Sequence, residues 1–240
     1  MKEINYMLGY KDINIIQDPK MFKFSLDSIL LPNFININPT CEKILDIGTG
    51  NAPIPLIIST KTSAHIDCVE IQKEVFEMGK ESIKLNKKES QITIYNEDIN
   101  EFYKKIESDT YDIITCNPPY FKTTDERHLN DNEYKTIARH EIKLNLSQLL
   151  NISKKLLKNG GSLAIVHRPE RLIDILEEMR KNNIEPKRIQ FVYPKKGKEA
   201  NILLIEGKKN GKEGIKILEP LFVYDEQGNY TDEILKYFTD

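Results

Sequence analysis

Long apolar runs, paired cysteines and clustered histidines are all missing from this sequence of 240 residues. No stretch of about 18 consecutive apolar residues is present, so we expect no transmembrane helix. Residues 1–5 lack the apolar core of a signal peptide, and a cytoplasmic protein is therefore expected. The three cysteines and four histidines are scattered and no Cys-x-x-Cys pair occurs, so we expect reduced thiols and no metal site.

The charge balance excludes one simple class of nucleic-acid binder. Lys and Arg number 35 against 37 Asp and Glu, which leaves a formal net charge of −2. The chain as a whole is therefore not a basic nucleic-acid binder, although a local basic cluster can still contact phosphates. We expect one domain over residues 1–240, with a preamble at 1–40, a core at 41–207 and a C-terminal hairpin and helix at 208–240.

Strand-like segments alternate with helical segments from Lys43 onward. This alternation predicts an α/β, Rossmann-like fold: a mostly parallel sheet of seven strands with helices on both faces. Because only a few residues join the last two core strands, the last strand is expected to be antiparallel. The pair Gly160-Gly161 is a candidate C-cap for a helix at residues 144–158. The tail predicts a hairpin around residues 226–229 and a short terminal helix.

The most unusual stretch is Asn117-Pro118-Pro119-Tyr120-Phe121, which follows directly on a strand-like segment. Two successive prolines end the hydrogen-bond ladder of a strand, and they push the preceding asparagine into an extended conformation. The turn therefore holds an amide and an aromatic ring at the carboxyl end of a strand, the edge at which open α/β sheets bind ligands. A rigid loop is the alternative interpretation. The combination of asparagine, two prolines and tyrosine favours a site.

A glycine loop with an acidic residue before it stands between the first core strand and the first core helix. It contains Asp46, Gly48 and Gly50, and glycines there allow the backbone to approach a ligand closely. The Gly-Lys-Ser/Thr ending of a phosphate loop is absent, and a proline replaces the third glycine of the dinucleotide fingerprint. By itself the loop fits a plain turn equally well.

Two further acids follow at the ends of the next two strands. Glu70 can accept hydrogen bonds from both ribose hydroxyls, and Asp98 can accept one from an adenine amino group. Ile71 and Ile99 are placed to sandwich the adenine ring. Either acid alone fits a solvated loop residue or a helix cap. As one ordered set, they fit a nucleoside without phosphates better than NAD.

The whole series resembles the class I S-adenosylmethionine (SAM) dependent methyltransferases. Asn-Pro-Pro-Tyr resembles the catalytic motif of amino-methyltransferases, which modify adenine N6, cytosine N4 or glutamine amides. The fuller likeness, over nearly the whole chain, is to the valine-tRNA adenine-37 N6-methyltransferase family. The segments that carry it are Phe24-Ser25-Leu26-Asp27-Ser28, Leu45-Asp46-Ile47-Gly48-Thr49-Gly50, Val69-Glu70-Ile71, Asp98-Ile99, Asn117-Pro118-Pro119-Tyr120-Phe121, Ala138-Arg139-His140-Glu141 and His167-Arg168-Pro169-Glu170-Arg171-Leu172.

The resemblance implies SAM as cofactor, the anticodon loop of a tRNA as partner, no metal and a monomer. In it, the Asn117 side-chain oxygen and the Pro118 carbonyl accept the two N6 hydrogens of adenine, while Tyr120 stacks on the base. The implied cofactor-binding residues are Phe24, Asp27, Asp46, Gly48, Gly50, Asn51, Glu70, Ile71, Asp98, Ile99 and Asn117. The implied substrate-binding residues are Pro119, Phe121, Lys122, Arg139, His140, Lys195, Lys196 and Lys198. Phe121 either extends the stacking surface or anchors the loop that follows.

Three other functions share some of these features. A protein glutamine methyltransferase has the same Asn-Pro-Pro-Tyr motif, but its family carries a separate helical N-terminal domain for which Asp46 stands too early in this chain. A DNA adenine methyltransferase needs a target-recognition domain, and the core sheet uses most of the residues after His140. A non-enzymatic RNA-binding module is excluded only by catalysis. Most lysine clusters are simply solvated. Two interpretations of Lys195–Lys198 therefore stay open: a solvated surface cluster and a tRNA contact.

Overall fold

The computed structural model describes residues 3–7, 10–18, 25–118 and 144–237. Within these ranges, the helices are all too short or too polar to cross a membrane.

The N-terminal part forms a small antiparallel sheet of its own, followed by a helix. The two strands are β1 (Glu3–Met7) and β2 (Tyr10–Gln17), and the helix is α1 (Asp27–Phe34). Ile13 and Ile15 of β2 are buried against the hydrophobic core. The hairpin is therefore attached to the rest of the molecule by alternate residues of its second strand.

Strands and helices then alternate, as the sequence predicts. The elements of the first half are β3 (Lys43–Ile47), α2 (Pro53–Lys61), β4 (His65–Glu70), α3 (Lys73–Leu85), β5 (Ile92–Asn96), α4 (Ile99–Lys105) and β6 (Tyr111–Cys116). Those of the second half are α5 (Leu146–Leu156), β7 (Leu157–His167), a 3-10 turn (Pro169–Arg171), α6 (Leu172–Lys181), β8 (Ile184–Lys195), β9 (Ile202–Lys209), β10 (Lys216–Ile217), β11 (Leu221–Tyr224) and α7 (Asp232–Leu235).

Within the described ranges, the central sheet has nine strands in the order β10-β8-β9-β7-β6-β3-β4-β5, with β11 also paired to β8. Among the described strands of this sheet, β9 alone runs antiparallel to its neighbours, which confirms the predicted orientation of the last core strand. The predicted count of seven is two short, because β10 and β11 extend the β8 edge in parallel. Strands of two and four residues are too short to show a period in the sequence.

Helices cover both faces of this sheet, as predicted. Ile44 and Ile113 point to a core shared with α1, α2 and α3. Their neighbours Leu45 and Ile114 point to the opposite core, which contains α4, α5 and α6. The alternation follows from the two-residue period of a strand, and it explains why these buried strands read as continuous apolar runs.

The predicted helix C-cap at Gly160-Gly161 is wrong. Strand β7 already begins at Leu157, so both glycines lie inside it, beside an irregularity in its pairing with β6. Gly160 has a φ of +78°, and a Cβ on Gly161 would lie 2.9 Å from the Lys158 carbonyl oxygen. The pair therefore permits a bend in a strand, a role that sequence pattern does not distinguish from a cap.

The predicted C-terminal hairpin and helix are both present. Tyr224 pairs with Tyr230 across the turn, and the Asp225 amide donates to the Asn229 carbonyl at 2.9 Å. The Thr231 hydroxyl then caps helix α7.

Candidate active site

The carboxyl ends of β6, β3, β4 and β5 lie side by side in the sheet. The pairing Ile47 with Cys116 brings the end of β3 next to the end of β6, and Ile47 also pairs with Val69 of β4. Glu70 pairs in turn with Asn96 of β5. Three inter-strand steps span roughly 14 Å. The chain leaves β3 in one direction and returns on its other side at β6, so this edge is a topological switch point of the kind that binds ligands.

The glycine loop lies at the centre of this row. Gly48 and Gly50 have φ values of +68° and +63°, which only glycine adopts without strain. The Gly48 and Thr49 amides both donate to the Val69 carbonyl, at 2.9 and 3.1 Å, and hold the loop against β4. A Cβ built on either glycine meets no atom within 4 Å. The loop thus presents bare backbone to open space beside the strand ends.

Gly79 of helix α3 supports the loop from behind, and sequence analysis missed it. A Cβ at this position would lie 2.9 Å from the Gly50 carbonyl oxygen and 2.8 Å from the Ile94 side chain. Only glycine lets α3 pack this close to the loop. A lone glycine inside an amphipathic helix was the available signal.

Both carboxylate oxygens of Glu70 accept backbone hydrogen bonds, one from the glycine loop and one from the residue before helix α3. Its Oε2 accepts from the Gly50 amide at 3.0 Å, and its Oε1 accepts from the Gln72 amide at 2.8 Å. The residue is 5% exposed, and burial raises the pKa of its carboxyl against the opposing effect of these amides. Each carboxylate oxygen has a second lone pair, so Glu70 can still accept hydrogen bonds from a diol.

Asp46 is fully buried beneath the same loop. Its Oδ1 accepts a hydrogen bond of 2.6 Å from the Thr115 hydroxyl, and its Oδ2 has no partner within the described part of the chain. Burial raises the pKa of Asp46 to about 7, against the effect of the Thr115 hydroxyl. Thr115 was missed from sequence, although it stands two positions before Asn117 and pairs with Asp46 in the sheet. A buried carboxylate oxygen without a partner fits a cationic ligand group.

Asp98 caps helix α4. Its Oδ1 accepts from both the amide and the side-chain nitrogen of Asn100, each at 2.9 Å. These two hydrogen bonds leave Oδ2 as the oxygen for a ligand donor. Ile99 is buried and Ile71 is half-buried, so both apolar side chains lie at this end of the row.

Asn51, directly after Gly50, and Asp27, in α1, each make a side-chain hydrogen bond within the protein. The Asn51 side chain donates to the Ile16 carbonyl at 2.9 Å, so it holds strand β2 rather than facing the row. Asp27 is buried in the first turn of α1, where its Oδ2 accepts from the Ser25 hydroxyl at 3.1 Å. For Asn51, the contact explains the side chain without a ligand.

Asn117 and Pro118 follow β6 and are both half-buried. Cys116 pairs with Ile165 of β7, and β7 ends two positions later at His167. His167 is buried, and its Nδ1 accepts from the Arg168 amide at 2.8 Å. Burial and the charge of Arg171 lower the pKa of His167 to about 4. A neutral imidazole therefore ends β7, the strand that pairs with β6, and the sequence alone did not indicate it.

Lys195 ends β8, and Lys196 and Lys198 follow in the turn to β9; all three are exposed, and the Lys198 amide donates to the Lys195 carbonyl at 3.1 Å. Strand β8 runs parallel to β6, so this turn is at the same edge of the sheet as Asn117. It is separated from the end of β6 by three inter-strand steps, or roughly 14 Å. The three lysines thus flank the row of strand ends rather than belong to it.

The remaining predicted site residues lie outside the described ranges. They are Phe24, Pro119, Tyr120, Phe121, Lys122, Arg139 and His140. Among the described residues, no cluster of three or more His, Cys, Asp or Glu side chains could hold a metal ion.

Comparisons with known proteins show the family to which the chain belongs. Residues 14–183 match the family model "Methyltransferase small domain". A tRNA1(Val) (adenine(37)-N6)-methyltransferase of Parabacteroides distasonis is 30% identical over 202 residues, which cover 84% of this chain and 83% of that protein. A protein of the same name from Flavobacterium psychrophilum is 26% identical over 217 residues, covering 89% and 91%.

A crystal structure of a predicted O-methyltransferase from Agrobacterium tumefaciens has the same fold. It superposes with a TM-score of 0.70 at 16% identity, over 89% of this chain and 97% of that one. The predicted fold class is thereby confirmed. The chain therefore belongs to the methyltransferase small domain family, as a SAM-dependent methyltransferase related to the tRNA1(Val) (adenine(37)-N6)-methyltransferases.

Proposed function

We propose that this methyltransferase transfers a methyl group from SAM to N6 of adenine 37 in a valine tRNA. The observation that carries the proposal is the row of strand ends, in which the Asn117-Pro118 turn stands directly beside the Gly48 loop. A methyl donor on the loop and an amino group on the turn would then be neighbours. The names of the related proteins favour an adenine in tRNA over other amino groups.

The described residues fit SAM. The unpartnered Oδ2 of Asp46 suits the ammonium of its methionine part, and the open space at Gly48 accommodates a ligand against the backbone. Glu70 would accept from the ribose hydroxyls, and Asp98 Oδ2 from the adenine amino group between Ile71 and Ile99. Gly50 positions Glu70 through its amide. When bound, SAM supplies a methyl group on a positively charged sulfur, so no metal is needed to activate it.

Asn117 and Pro118 act on the acceptor nitrogen. The lone pair of adenine N6 is delocalised into the ring, which makes the amino group a poor nucleophile. Two acceptors, the Asn117 side-chain oxygen and the Pro118 carbonyl, would bind its two hydrogens and favour a pyramidal nitrogen. Holding that nitrogen in line with the donor converts the transfer into a positioned, effectively unimolecular step. We assign the stacking contact with the base to Tyr120, with Pro119 and Phe121 beside it.

The base must leave its stack to reach this turn. In an anticodon loop the bases are already partly unstacked, so the cost is lower than in a duplex. We assign the backbone contacts of the tRNA to Lys195, Lys196 and Lys198, with Lys122, Arg139 and His140 as further contacts.

The enzyme is proposed to act as a monomer, built as one domain over residues 1–240, in the cytoplasm. Light scattering of the purified protein with and without tRNA tests the monomer.

Incubation with labelled SAM and unmodified valine tRNA, followed by mapping of the label, tests the activity. We expect label on N6 of adenine 37, and none on a matched tRNA that carries guanosine at position 37. Label on a glutamine-bearing protein instead of tRNA would make the chain a protein methyltransferase. Binding of tRNA without any transfer would leave only an RNA-binding module.

The variant Asn117→Ala tests the role of the turn. It should lower kcat at least about a hundredfold while SAM affinity, measured by calorimetry, changes less than about threefold, because the amide acts on the acceptor. The matched control is Asn51→Ala, whose side chain contacts Ile16 and not the turn. Loss of SAM binding in Asn117→Ala would assign Asn117 to the cofactor instead.

A further inference from the structure

A pair of stacked tyrosines stands at the C-terminal edge of the sheet, outside the range matched by the methyltransferase family model. The rings of Tyr224 and Tyr230 lie 5.1 Å apart at an interplanar angle of 24°. Tyr224 remains 39% exposed, although it lies within a β-strand. The hairpin turn of residues 225–229 holds the pair together, since Tyr224 and Tyr230 form its closing bridge. An aromatic face that is stiff and partly exposed is a surface on which a planar group can stack.

The tyrosine pair adjoins the lysine turn. Tyr224 of β11 pairs directly with Lys195 of β8 in the sheet. Between them a shallow groove of about 690 Å³ is lined by Pro194, Lys195, Lys198, Glu199, Tyr224 and Gly228. Asp225 follows Tyr224 directly, but its side chain accepts a hydrogen bond from the Asn229 amide at 2.8 Å within the hairpin turn. The groove therefore combines an aromatic face with two lysines and one carboxylate, Glu199.

This groove opens at the same edge of the sheet as the candidate active site. Strands β11, β8, β7 and β6 all run in one direction, so Tyr224, Lys195 and Asn117 stand near the carboxyl ends of their strands. Four inter-strand steps separate β11 from β6, which is roughly 19 Å. A polynucleotide strand that places one base at Asn117 can therefore continue along the edge to the groove.

We propose that the groove binds one unpaired nucleotide of the tRNA loop, apart from the nucleotide that is methylated. Its base stacks on the exposed face of Tyr224, and its phosphate contacts Lys195 and Lys198. An aromatic face beside cations is the combination with which proteins bind single-stranded nucleic acid. The inference rests on the proposed function, because it takes a tRNA loop as the substrate. It adds a second base contact, which fixes the direction in which the loop crosses the enzyme.

A fluorescent base analogue gives a direct readout of this contact. The protein contains no Trp, so 2-aminopurine placed at single loop positions of a valine anticodon stem-loop RNA can be followed with little protein background. We expect quenching at one loop position other than 37 with the wild type. Tyr224→Phe should retain this quenching, because it keeps the ring, and Tyr224→Ala should abolish it. Quenching that persists in Tyr224→Ala would overturn the proposal.

Steady-state kinetics separate this contact from the chemistry. Tyr224→Ala should raise KM for the tRNA between roughly 5- and 150-fold, the range that corresponds to one stacked base, with kcat at saturating tRNA unchanged. Lys198→Ala should raise KM several-fold, whereas Lys212→Ala should not, since Lys212 is equally exposed but lies at the opposite edge. Unfolding curves and SAM affinity check that each variant is folded.

The outcomes distinguish the two proposals. If the wild type methylates tRNA and neither Tyr224→Ala nor Lys198→Ala changes KM, the groove is not a substrate contact. If the wild type methylates no tRNA, the proposed function fails. The 2-aminopurine measurement with the Tyr224 variants still decides the groove in that case, since it needs binding alone.

Discussion

The carboxylate of Asp46 places a pH-dependent cost on the folded protein. Its side chain is fully exposed to water only in the unfolded chain, where the pKa is near 3.8, whereas burial raises the folded pKa to about 7. The folded state therefore binds a proton that the unfolded state releases between these two values. Stability that Asp46 contributes is fully present below pH 3.8 and is lost as the pH rises through 7. A cationic ligand beside Asp46 would stabilise the ionised form of this carboxylate.

Replacement Asp46→Asn should reveal both effects. The wild type should lose free energy of unfolding relative to the variant by up to about 4 kcal/mol between pH 4 and pH 8, because the shift exceeds three pH units. SAM affinity should fall roughly 10- to 150-fold in the variant, as expected for the loss of a charge-assisted hydrogen bond. Urea unfolding at several pH values and calorimetry with SAM measure the two. Equal pH dependence in both proteins would contradict the buried-carboxylate assignment.

The lowered pKa of His167 makes the stability of the fold depend on pH in the opposite direction. Its pKa is lowered from 6.5 to about 4, so the unfolded state binds a proton that the folded state refuses. Stability from His167 is present above pH 6.5 and is lost as the pH falls toward 4. His167→Asn, which keeps an acceptor for the Arg168 amide, should remove up to about 3 kcal/mol of this acid sensitivity. Arg171→Gln should move the imidazole titration, followed by NMR, to higher pH. An unshifted titration in Arg171→Gln would show that Arg171 does not act on the ring.

At the scale of secondary structure elements, the glycine loop is held between β4 and α3. The backbone of Gly48 bonds to β4, and Gly79 lets α3 approach the Gly50 carbonyl. No space is left between the loop and α3, so a side chain at Gly79 must displace one of them. Misplacement of a binding loop by even about 1 Å is costly for function.

Gly79→Ala tests this packing against helix propensity. In an open helix the change would stabilise by roughly 0.8–1 kcal/mol, but overpacking against a backbone atom costs about 1–3 kcal/mol. We expect a net loss of stability and a SAM dissociation constant raised about tenfold. Lys80→Ala, at the exposed neighbouring position, should leave SAM affinity unchanged. A more stable Gly79→Ala protein with normal SAM affinity would disprove the close contact.

The elements that could be predicted are those with a local signal. The strands ending at Ile47, Glu70 and Cys116 are short apolar runs, and the side-by-side position of their ends follows from parallel pairing. That is why the sequence predicts Gly48, Glu70 and Asn117 as parts of one site. Contacts between distant side chains have no such signal. The Thr115 hydroxyl meets Asp46 from 69 positions away, and Asn51 meets Ile16 from 35 positions away.

The hydrogen bonds along one edge of β2 are another example of contacts that the sequence does not predict. Asn86 of the turn after α3 pairs with both the amide and the carbonyl of Asn14, at 2.9 and 2.7 Å, and the Ser82 hydroxyl accepts from Ile16 at 3.0 Å. Side chains here replace a neighbouring strand. Alternation in the sequence predicts that β2 is a strand, but it does not predict what satisfies its backbone.

At the scale of the whole molecule, a chain with a net charge of −2 is proposed to bind a polyanion. The long-range field is then weak, and affinity for tRNA must come from a few local phosphate contacts. The binding constant should therefore depend on salt only as strongly as those contacts require. Each neutralised phosphate contributes a slope of roughly −0.7 in a plot of log K against log salt for single strands.

Replacing three lysines by alanine at one or the other end of the strands separates the effect of local charge on tRNA binding from the effect of net charge. Combined Lys195→Ala, Lys196→Ala and Lys198→Ala should reduce the salt slope for tRNA binding by roughly 1.4, because Lys195 and Lys198 share one phosphate, Lys196 contacts a second, and each contributes about 0.7. The matched triple at the opposite edge, Lys208→Ala, Lys212→Ala and Lys216→Ala, makes the same change in net charge on equally exposed residues and should leave the slope nearly unchanged. Fluorescence anisotropy at four or more salt concentrations measures both. Equal effects of the two triples would mean that net charge, and not the edge that carries Asn117, governs binding, because only a local contact depends on where the lysines are.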